Sequence, residues 1–471
     1  MTIASYAFPS PIVPSSRHCV GTAVYRGFVL NPFTFASCDP GSRATIRGGS
    51  SEGLNRNSQM RCALGPIEIG EAEEACVPRG TPFHSRTSAL CESYGWRNWS
   101  GYLVASSYEL VPEMEYHAVR NSAAVIDVSP LYKYTIRGED AFRLVNRVVT
   151  RDLAKCAAGQ IVYTPWCDDA GKAVDDGTVW NLGDGAYRLT SAEPNLKWLE
   201  DSGMGLDAEV EDVSEDIAAL ALQGPTSRAI LKDLLGGSIE KLRYYRFMQG
   251  RIDGISATVS RTGYTGDLGF EIWIPADRAE PLWDAVMAAG KPHGITPAGM
   301  LALDMARIEA GLLLAEVDYV PSRRAVIEAQ RYSPFEMSLD WTVALSKGPF
   351  TGRPALVEEA RRGPPRRIVG LQVDWAVAAR LYEERGLPPE PPRVAWRSNV
   401  PVYYGVRQVG RATSGCWSPT LKRYIVLATI ASPYAALGTA LEMEVTVEGE
   451  RKRAPVTVVP KPFYDPPRKK A

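Results

Sequence analysis

The sequence predicts an α+β protein, and three observations support that class. Strand-like and helix-like segments follow one another without the regular β–α–β alternation of a parallel sheet. Beyond residue 361, short strand-like segments are separated by glycine turns, as in a small β-barrel. The first 80 residues are rich in Ser, Gly, Pro and Arg and show no sustained hydrophobic period. We therefore expect a low-complexity leader over residues 1–80, α+β domains over 81–360 and a barrel domain over 361–471.

Regular patterning begins near Thr81, where hydrophobic residues start to recur at fixed intervals. The predicted elements are a helix leading into a strand over residues 116–127, a strand over 132–137, an amphipathic helix over 139–149, a hairpin over 179–189, a buried strand over 218–222, a strand pair around 263–269, and helices over 279–289 and 298–310. The Pro-rich segment 361–401 still carries apolar residues, so we expect an ordered surface excursion there.

Composition argues against several classes of function. The 471 residues carry a net charge of −1, which gives no electrostatic footprint for nucleic acid or for an anionic membrane. No stretch reaches the roughly 18 apolar residues of a membrane span. The eight cysteines form no Cys-x-x-Cys pair and the four histidines are isolated, so neither a metal site nor a disulfide framework is predicted. A reducing compartment fits this cysteine pattern best.

The leader determines the predicted location of the protein. Before Glu52 its only acidic residue is Asp39, set against four arginines at positions 17, 26, 43 and 47. That composition is typical of an organelle transit peptide, although a clear amphipathic, Arg-bearing helix is missing. A disordered leader, or one removed from the mature protein, is an equal alternative. The predicted location is the cytoplasm, or the mitochondrion if the leader is a transit peptide.

The first candidate catalytic feature is an adjacent acid pair, Asp175 and Asp176. The pair follows an Asp-Asp-Ala-Gly turn at residues 168–171 and begins a predicted strand. Because side chains alternate along a strand, the two carboxyl groups face opposite sides and one can point inward. Burial would raise the pKa of that carboxyl group and suit it to proton transfer on a bound amine. Taken alone, a solvated pair of strand-end acids is the simpler interpretation.

A second candidate feature is the glycine-rich segment 260–271, which ends in Glu271 on the following strand. Its three glycines permit a tight loop whose backbone approaches a ligand. It is not a phosphate-binding glycine loop, because no Lys follows and the next element is a strand. A carboxylate here can accept two parallel hydrogen bonds from a flat N–H edge such as that of a pterin. Taken alone, a glycine-rich hairpin with a surface Glu is again the simpler interpretation.

Seven short motifs between Thr81 and Tyr464 resemble, in chain order, those of the aminomethyltransferase (glycine cleavage T protein) family. Each motif is weak by itself, but the order of all seven is specific. They are Thr81-Pro-Phe83, Glu115-Tyr-His-Ala-Val-Arg120, Ile126-Asp-Val-Ser129, Ala221-Leu-Gln-Gly-Pro225, Arg261-Thr-Gly-Tyr-Thr-Gly266, Arg307-Ile-Glu-Ala-Gly311 and Thr413-Ser-Gly-Cys-Trp-Ser-Pro-Thr-Leu-Lys422. The resemblance implies a ring of three domains, the last a small β-barrel, around a central channel that binds tetrahydrofolate.

The resemblance also implies roles for individual residues. Asp176 resembles the family's catalytic aspartate, which positions or polarises the reacting folate nitrogen, with Asp175 as the alternative one position away. Tyr163 and Tyr264 resemble aromatic walls of the pterin pocket. Glu271 resembles the acid that binds the pterin edge.

The sequence departs from the family pattern at several positions, and one of them resembles the family's demethylating relatives. Trp180 stands at a folate-site position where a tyrosine is expected, and Leu303 replaces an arginine that normally lies in the folate site. Pro130 follows the Asp-Val-Ser motif in place of histidine. Glu336, within Tyr-Ser-Pro-Phe-Glu, resembles relatives that demethylate methyl ethers or sulfonium compounds. The segment 371–403 is longer than in a T protein and brings Trp375, Tyr382 and Trp396.

The predicted function is a tetrahydrofolate-dependent demethylase. It would move a methyl group from an O-, S- or N-methyl small molecule to tetrahydrofolate, giving 5-methyltetrahydrofolate. Asp176 would orient or deprotonate the folate amine, and Tyr264 or His117 would stabilise the leaving group.

Two alternatives stay open at this point. One is a glycine cleavage T protein that takes an aminomethyl group from a lipoyl H protein, which the basic leader weakly favours. The other is a non-catalytic, folate-binding accessory protein. Relatives of that kind carry a reactive cysteine, whereas the nearest analogue here, Cys416, lies in a different sequence context.

Overall fold

The structure, a computed structural model, describes residues 77–471, so the predicted leader lies almost entirely outside the described residues. The strands, in chain order, are β1 (Arg79–Gly80), β2 (Trp96–Trp99), β3 (Tyr102–Ala105), β4 (Ala123–Asp127), β5 (Tyr132–Arg137), β6 (Ile161–Cys167), β7 (Ala173–Gly183), β8 (Ala186–Ser191), β9 (Glu209–Asp212), β10 (Ile217–Gln223), β11 (Phe247–Ile252), β12 (Ile255–Ser260), β13 (Gly269–Pro275), β14 (Ile295–Pro297), β15 (Arg366–Val373), β16 (Val400–Tyr404), β17 (Arg407–Ser418), β18 (Arg423–Ala431), β19 (Ala440–Val447) and β20 (Glu450–Val459).

The α-helices pack on the faces of these strands or connect them. They are α1 (His84–Leu90), α2 (Pro112–Asn121), α3 (Ala141–Val148), α4 (Leu196–Ser202), α5 (Ser227–Leu235), α6 (Ala279–Gly290), α7 (Met300–Glu309), α8 (Arg353–Arg362) and α9 (Trp375–Glu383). Within the described residues the strands form a three-stranded sheet (β1-β3-β2), a six-stranded sheet (β11-β12-β13-β10-β4-β14), a five-stranded sheet (β6-β7-β8-β5-β9) and a closed barrel (β15-β18-β17-β16-β19-β20).

The six-stranded sheet is buried on both faces, which explains the continuous apolar sequence of β10. Leu220 and Leu222 enter a cluster with residues of α5 and α6. Ala219 and Ala221 point the other way, into a second cluster that includes residues of α7. A strand with two buried faces needs apolar residues at every position rather than at alternate ones. The sequence therefore predicts the strand from its composition instead of from a two-residue period.

The five-stranded sheet divides its side chains in the same way. Val179 of β7 lies in a cluster with Leu144 and Val148 of α3. Its neighbour Trp180 faces the opposite side and joins the cluster that contains α7. The alternation along β7 therefore sends one set of residues into the domain core and the other toward the middle of the molecule.

One apolar cluster takes side chains from both large sheets and from the barrel. Ile126 comes from the six-stranded sheet, Trp180 from the five-stranded sheet, and Cys416 and Leu427 from the barrel. Partly exposed aromatic residues, Tyr163 and Tyr264 among others, pack against it. The three parts thus meet around a common centre, and that centre is lined by side chains that solvent can reach.

The predicted elements agree with the structure except at the start of the Pro-rich segment. The strand predicted over 132–137 is β5, and the helix predicted over 139–149 contains α3. The excursion predicted to start at residue 361 was wrong for residues 366–373, which form barrel strand β15. Pro364 and Pro365 precede that strand instead of interrupting it, so they do not remove any of its ladder hydrogen bonds.

Candidate active site

The acid pair lies on β7 opposite β6, and β8 pairs with β7 from Gly177 onward. Asp175 is opposite Trp166 and Asp176 is opposite Pro165 in the ladder with β6. The next residue, Gly177, lets β8 come close, because a Cβ at that position would lie 1.9 Å from the carbonyl oxygen of Thr190. Asp175, Asp176 and Gly177 therefore lie where the backbones of the neighbouring strands approach β7 closely.

Asp175 is fully buried and is held by the protein itself. Its Oδ2 accepts hydrogen bonds from the backbone N–H of Glu193 (3.0 Å) and from Asn195 Nδ2 (2.9 Å). Its Oδ1 accepts from the backbone N–H of Asp176 (2.8 Å). Burial, together with the nearby charge of Asp176, raises the pKa of Asp175 well above its ordinary value. These contacts tie β7 to the segment before α4 and leave no exposed surface for a ligand.

Asp176 faces the opposite side and stays partly exposed. The Tyr163 hydroxyl donates to its Oδ2 (2.8 Å), and the Tyr319 hydroxyl donates to its Oδ1. Burial raises the pKa of Asp176, and the two phenolic hydrogen bonds partly offset that rise. A recessed carboxylate held by two neutral donors and open to solvent is suited to accept a proton from a bound amine.

Tyr264 lies in the loop between β12 and β13. Its hydroxyl donates to the backbone carbonyl of Leu313, which joins this loop to the segment after α7. Burial raises the pKa of Tyr264, with a smaller upward contribution from the charge of Asp176. Tyr264 and Tyr245 in turn raise the pKa of Tyr163, after the larger effects of burial and of Asp176. The three phenols pack against one apolar cluster, and Tyr163 donates to Asp176; these four residues define the recess.

Glu271 lies on β13 and is also recessed but partly exposed. Thr262 Oγ1 donates to its Oε2 at 2.7 Å, and Ser260 Oγ contacts the same oxygen at 3.4 Å. Oε1 has no hydrogen-bond partner within residues 77–471. Burial raises the pKa of Glu271, and its charge reaches Tyr245, whose pKa it raises. One carboxylate oxygen is thus held by the protein while the other is free to bind a ligand.

The recess fits a pterin on these observations. Its aromatic side chains offer flat surfaces, and the free Oε1 of Glu271 can accept a hydrogen bond from an N–H edge. The buried indole N–H of Trp273, two residues along the same strand face, lies close to this carboxyl group and lowers its pKa.

Trp180, a predicted folate contact, lies behind the recess rather than on its surface. Its side chain is fully buried and packs on Trp273 and Phe247, with ring centroids 5.2 and 5.3 Å away. Its indole N–H donates to Thr178 Oγ1 (2.9 Å). In this structure Trp180 supports the wall of the site and offers no accessible surface of its own. His117, the alternative leaving-group donor, lies on α2 with its ring edge-on to Tyr116.

Sequence reasoning missed Tyr319, the second phenol on Asp176. Tyr319 follows α7 in a segment without helical or strand periodicity, so no pattern singled it out. It is nearly fully buried, and burial followed by the charges of Asp176 and Asp175 raises its pKa. The only available sign was an aromatic residue beside an acid, Asp318, near a motif of the family.

Asp318 belongs to an ionic cluster that links α7 to the barrel. Arg307 of α7, fully buried, pairs with Asp318 and lies 3.3 Å from Asp304. Asp318 also accepts hydrogen bonds from the hydroxyls of Thr413 (2.6 Å) and Ser414 (2.7 Å) on β17. The Thr-Ser part of the barrel motif therefore holds the α7 segment against the barrel.

A second buried ionic cluster involves other motif residues. Arg120 of α2 binds Glu309 of α7 through two nitrogens (2.9 and 2.6 Å) and contacts Asp267 at 3.2 Å. Tyr116 and Ser418 also donate to Glu309. These side chains are almost fully buried and their charges are paired. This cluster joins two helices, a loop and the barrel, and it presents nothing to a ligand.

Glu336 and the aromatic residues of segment 371–403 also contact other parts of the protein. Glu336 forms ion pairs of 3.0 Å with Lys172 and with Arg366, so it fastens the barrel to the turn before the acid pair. A groove of about 780 Å³ is bordered by Trp375, Tyr382 and Trp396 of segment 371–403, and its lining shares no residue with the recess.

Two absences apply to the described part of the chain. Residues 77–471 contain no helix long and apolar enough to cross a membrane. Over the same residues, no group of three or more His, Cys, Asp or Glu side chains is placed to hold a metal ion.

Comparison with known proteins agrees with this architecture. Residues 83–347 match the GCVT N-terminal domain and residues 385–465 match the glycine cleavage T-protein C-terminal barrel domain. The aminomethyltransferase of Moorella thermoacetica is 35% identical over 375 residues, which cover 79% of this chain and 94% of that protein. The trimethylamine-oxide aldolase of Ruegeria pomeroyi is 34% identical over 413 residues, which cover 83% of this chain and 48% of that protein.

The solved structure of glycine cleavage system aminomethyltransferase T from Bartonella henselae superimposes with a TM-score of 0.70. The match covers 82% of this chain and 98% of that one at 23% identity, so it shows the fold. Fold and sequence together define a three-domain ring of the aminomethyltransferase type. The chain belongs to the glycine cleavage T-protein family of tetrahydrofolate-dependent transferases, which confirms the predicted fold class and family.

Proposed function

We propose that this protein transfers a methyl group from a small-molecule donor to tetrahydrofolate. The donor is an O-, S- or N-methyl compound, R–X–CH₃. The observation that carries the proposal is Asp176, a recessed and partly exposed carboxylate whose oxygens are held by two phenols. Bound tetrahydrofolate supplies the N5 amine that accepts the methyl group, as the bond from carbon to X breaks and X keeps the electron pair.

The residues of the recess have separate tasks in this proposal. Asp176 accepts the proton that leaves the amine as the new bond forms. That proton ends on R–X when X leaves as an anion, and in solvent when X leaves as a neutral sulfide. Tyr163 and Tyr319 fix the orientation of the carboxylate by donating to both of its oxygens. Glu271 binds the N–H edge of the pterin through its free oxygen. Aligning donor and acceptor in a closed recess can supply about 7–11 kcal/mol of the barrier reduction.

Leu303 supports a donor other than an aminomethyl-lipoyl protein. It replaces, in α7, the arginine expected for a T protein, and its side chain is buried in the central apolar cluster. One relative is named for an action on a methylated amine oxide, trimethylamine oxide. That name favours an N-methyl compound among the possible donors.

The second candidate function is that of a glycine cleavage T protein. It is favoured by relatives named aminomethyltransferase, such as the one from Thermoanaerobacter, which is 32% identical over 93% of its length. In that case the donor is an aminomethyl-lipoyl H protein and the product is methylenetetrahydrofolate. A folate-binding accessory protein without turnover is the third candidate.

A donor panel distinguishes the three candidates. Purified protein is incubated with tetrahydrofolate and with methoxybenzoates, dimethylsulfoniopropionate, methylated glycines, trimethylamine oxide or aminomethyl-lipoyl H protein, and the folate product is identified by mass. The expected product is 5-methyltetrahydrofolate with one methyl donor, lost in Asp176→Asn and retained in Asp169→Asn, an exposed acid of the preceding turn. Methylenetetrahydrofolate formed only with H protein overturns the proposal in favour of the T protein. Folate binding without any product supports the accessory protein.

A further inference from the structure

An unusual group of three arginines surrounds Asp304 of α7. Arg397 contacts Asp304 through its Nε (2.8 Å) and Nη2. Arg307 approaches the other carboxylate oxygen at 3.3 Å. Arg97 of β2 lies 3.8 Å away. One carboxylate, 4% exposed, is thus shared by guanidinium groups from three distant parts of the chain.

The charges in this arginine group do not balance. Arg307 is neutralised mainly by Asp318, with which it pairs directly. The single negative charge of Asp304 must then balance the two positive charges of Arg97 and Arg397. Lys461, whose pKa burial lowers to about 8, lies within electrostatic reach of Asp318 and adds further positive charge. An excess of positive charge in a half-buried place is unfavourable unless an anion compensates it.

Arg97 has donors that the described part of the chain does not use. Within residues 77–471 its guanidinium makes no hydrogen bond, and the 3.8 Å approach to Asp304 is its one ionic contact. Its side chain is 25% exposed, and burial followed by repulsion from Arg397 lowers its pKa. Five N–H donors in a fixed plane, left free beside a second guanidinium, match the geometry of a carboxylate that accepts two parallel hydrogen bonds.

The arginine group borders the proposed recess. Arg307, which contacts Asp304, also pairs with Asp318. The residue after Asp318, Tyr319, donates to Asp176. Leu303, adjacent to Asp304, packs in the apolar cluster on which Tyr163 and Tyr264 also lie. The arginine group and Asp176 are therefore joined through adjacent residues of the segment after α7.

We infer that Arg97 and Arg397, held by Asp304, form a carboxylate-binding subsite beside the transfer site. The inference rests on the proposed function, because it assigns a ligand to that same recess. Two ligands of the reaction can carry the carboxylate. One is the methyl donor, which would then be a methylated acid, and the other is the glutamate tail of tetrahydrofolate.

The experiment compares each ligand with an analogue that lacks the carboxylate. Dimethylsulfoniopropionate, sarcosine or a methoxybenzoate, whichever is turned over, is compared with its primary amide. Tetrahydrofolate is compared with 6-methyltetrahydropterin by direct binding titration. The variants are Arg97→Gln, Arg397→Gln and Arg97→Lys, which keeps the charge but loses the planar donor pair. Arg393→Gln, on the same segment and exposed, is the matched control.

A donor subsite predicts that the two Gln variants raise KM for the acid about 10- to 100-fold with little change in kcat. The amide and the affinity for tetrahydrofolate would not respond, and Arg97→Lys would recover part of the loss. A folate subsite predicts instead a similar loss of affinity for tetrahydrofolate but not for 6-methyltetrahydropterin. Either result supports the subsite and names its ligand.

The inference is wrong if Arg97→Gln, Arg397→Gln and Arg393→Gln change KM and affinity to the same extent, for each ligand and for its analogue without the carboxylate. The proposed function fails separately, when no donor is turned over by the wild-type protein. In that event the methylated acids and their amides are titrated for binding as well, so that both ligands of the subsite are tested without turnover.

Discussion

Two carboxylates of this molecule, Asp176 and Glu309, have opposite surroundings. Glu309 is fully buried, and the Arg120 guanidinium neutralises its charge while two hydroxyls donate to it. Asp176 is partly exposed, and its hydrogen-bond donors, Tyr163 and Tyr319, are both neutral. A charge that the protein has already neutralised stabilises the fold, whereas one held only by neutral donors keeps its capacity to react with a ligand.

The same contrast separates the two members of the acid pair. Asp175 receives three hydrogen bonds from the protein and has no exposed surface. Asp176, on the other face of the strand, remains open to solvent. Adjacent residues of one type can therefore divide into a structural and a reactive role by strand alternation alone.

The largest expected effect is on the rate of Asp176→Asn. Asparagine keeps the shape and can still accept one phenolic hydrogen bond, but it cannot take up the amine proton. We expect kcat to fall about 10²- to 10⁴-fold, the usual contribution of a positioned base. The thermal unfolding midpoint should stay the same or rise, because burial of the ionised carboxylate is unfavourable. If Asp176→Asn were instead less stable while its folded fraction kept the wild-type specific rate, the roles assigned to Asp176 and Glu309 would be exchanged.

Glu309→Gln should show the opposite pattern. Removal of this charge leaves the buried Arg120 guanidinium with Asp267 as its remaining acidic contact. We expect the free energy of unfolding to fall by about 3–5 kcal/mol, as for other broken buried ion pairs. Denaturant titration measures it, with exposed Glu358→Gln on α8 as the control. The specific rate of the folded protein should change little, and a loss of rate at full stability would place Glu309 in the active site.

The acid pair also predicts opposite effects of pH on activity and stability. Burial raises the pKa of Asp175 and of Asp176 above the ordinary 3.8 of aspartate. The native state therefore binds these protons more tightly than the unfolded state, so stability falls as pH rises from 3.8 through the raised pKa values. Activity rises through the same window, because Asp176 must be ionised to accept a proton.

Variants of the acid pair distinguish the effect of pH on activity from its effect on stability. Because the charges interact, the apparent pKa values belong to both residues together. The acid limb of kcat/KM is measured alongside unfolding at the same pH values. Asp176→Asn should flatten the stability change without removing it, since the pKa of Asp175 stays raised by burial. An acid limb at or below 3.8 would argue against a recessed base.

Much of the fold was predictable because local patterns and distant packing agree. The strand over 132–137 and the helix around α3 follow from periodicity, and the order of the motifs gave the family. The choice between Asp175 and Asp176 could not be made, since alternation shows that they differ but not which one faces the centre. That depends on Asn195 and Tyr319, which the fold brings to β7 from 20 and 143 residues away.

The arginine group was hidden for the same reason. Arg97, Arg307 and Arg397 lie in segments that no period or motif connects, and their meeting at Asp304 is a property of the folded chain. The sequence did show that Leu303 replaces an expected arginine in this part of α7. It could not show that two other arginines come to the neighbouring residue.

The smallest expected effect is that of Tyr264→Phe, which tests how far the neutral donors of the recess act in the reaction. In the structure the Tyr264 hydroxyl donates to the carbonyl of Leu313, so its proton is already committed. If Tyr264 only closes the recess, its loss should cost about 1 kcal/mol of stability and less than tenfold in kcat. Tyr163→Phe, which removes a donor from Asp176 itself, should reduce kcat more. Both are measured in the assay that identifies the folate product. A larger loss for Tyr264→Phe than for Tyr163→Phe would mean that its hydroxyl turns from Leu313 toward the leaving group during transfer.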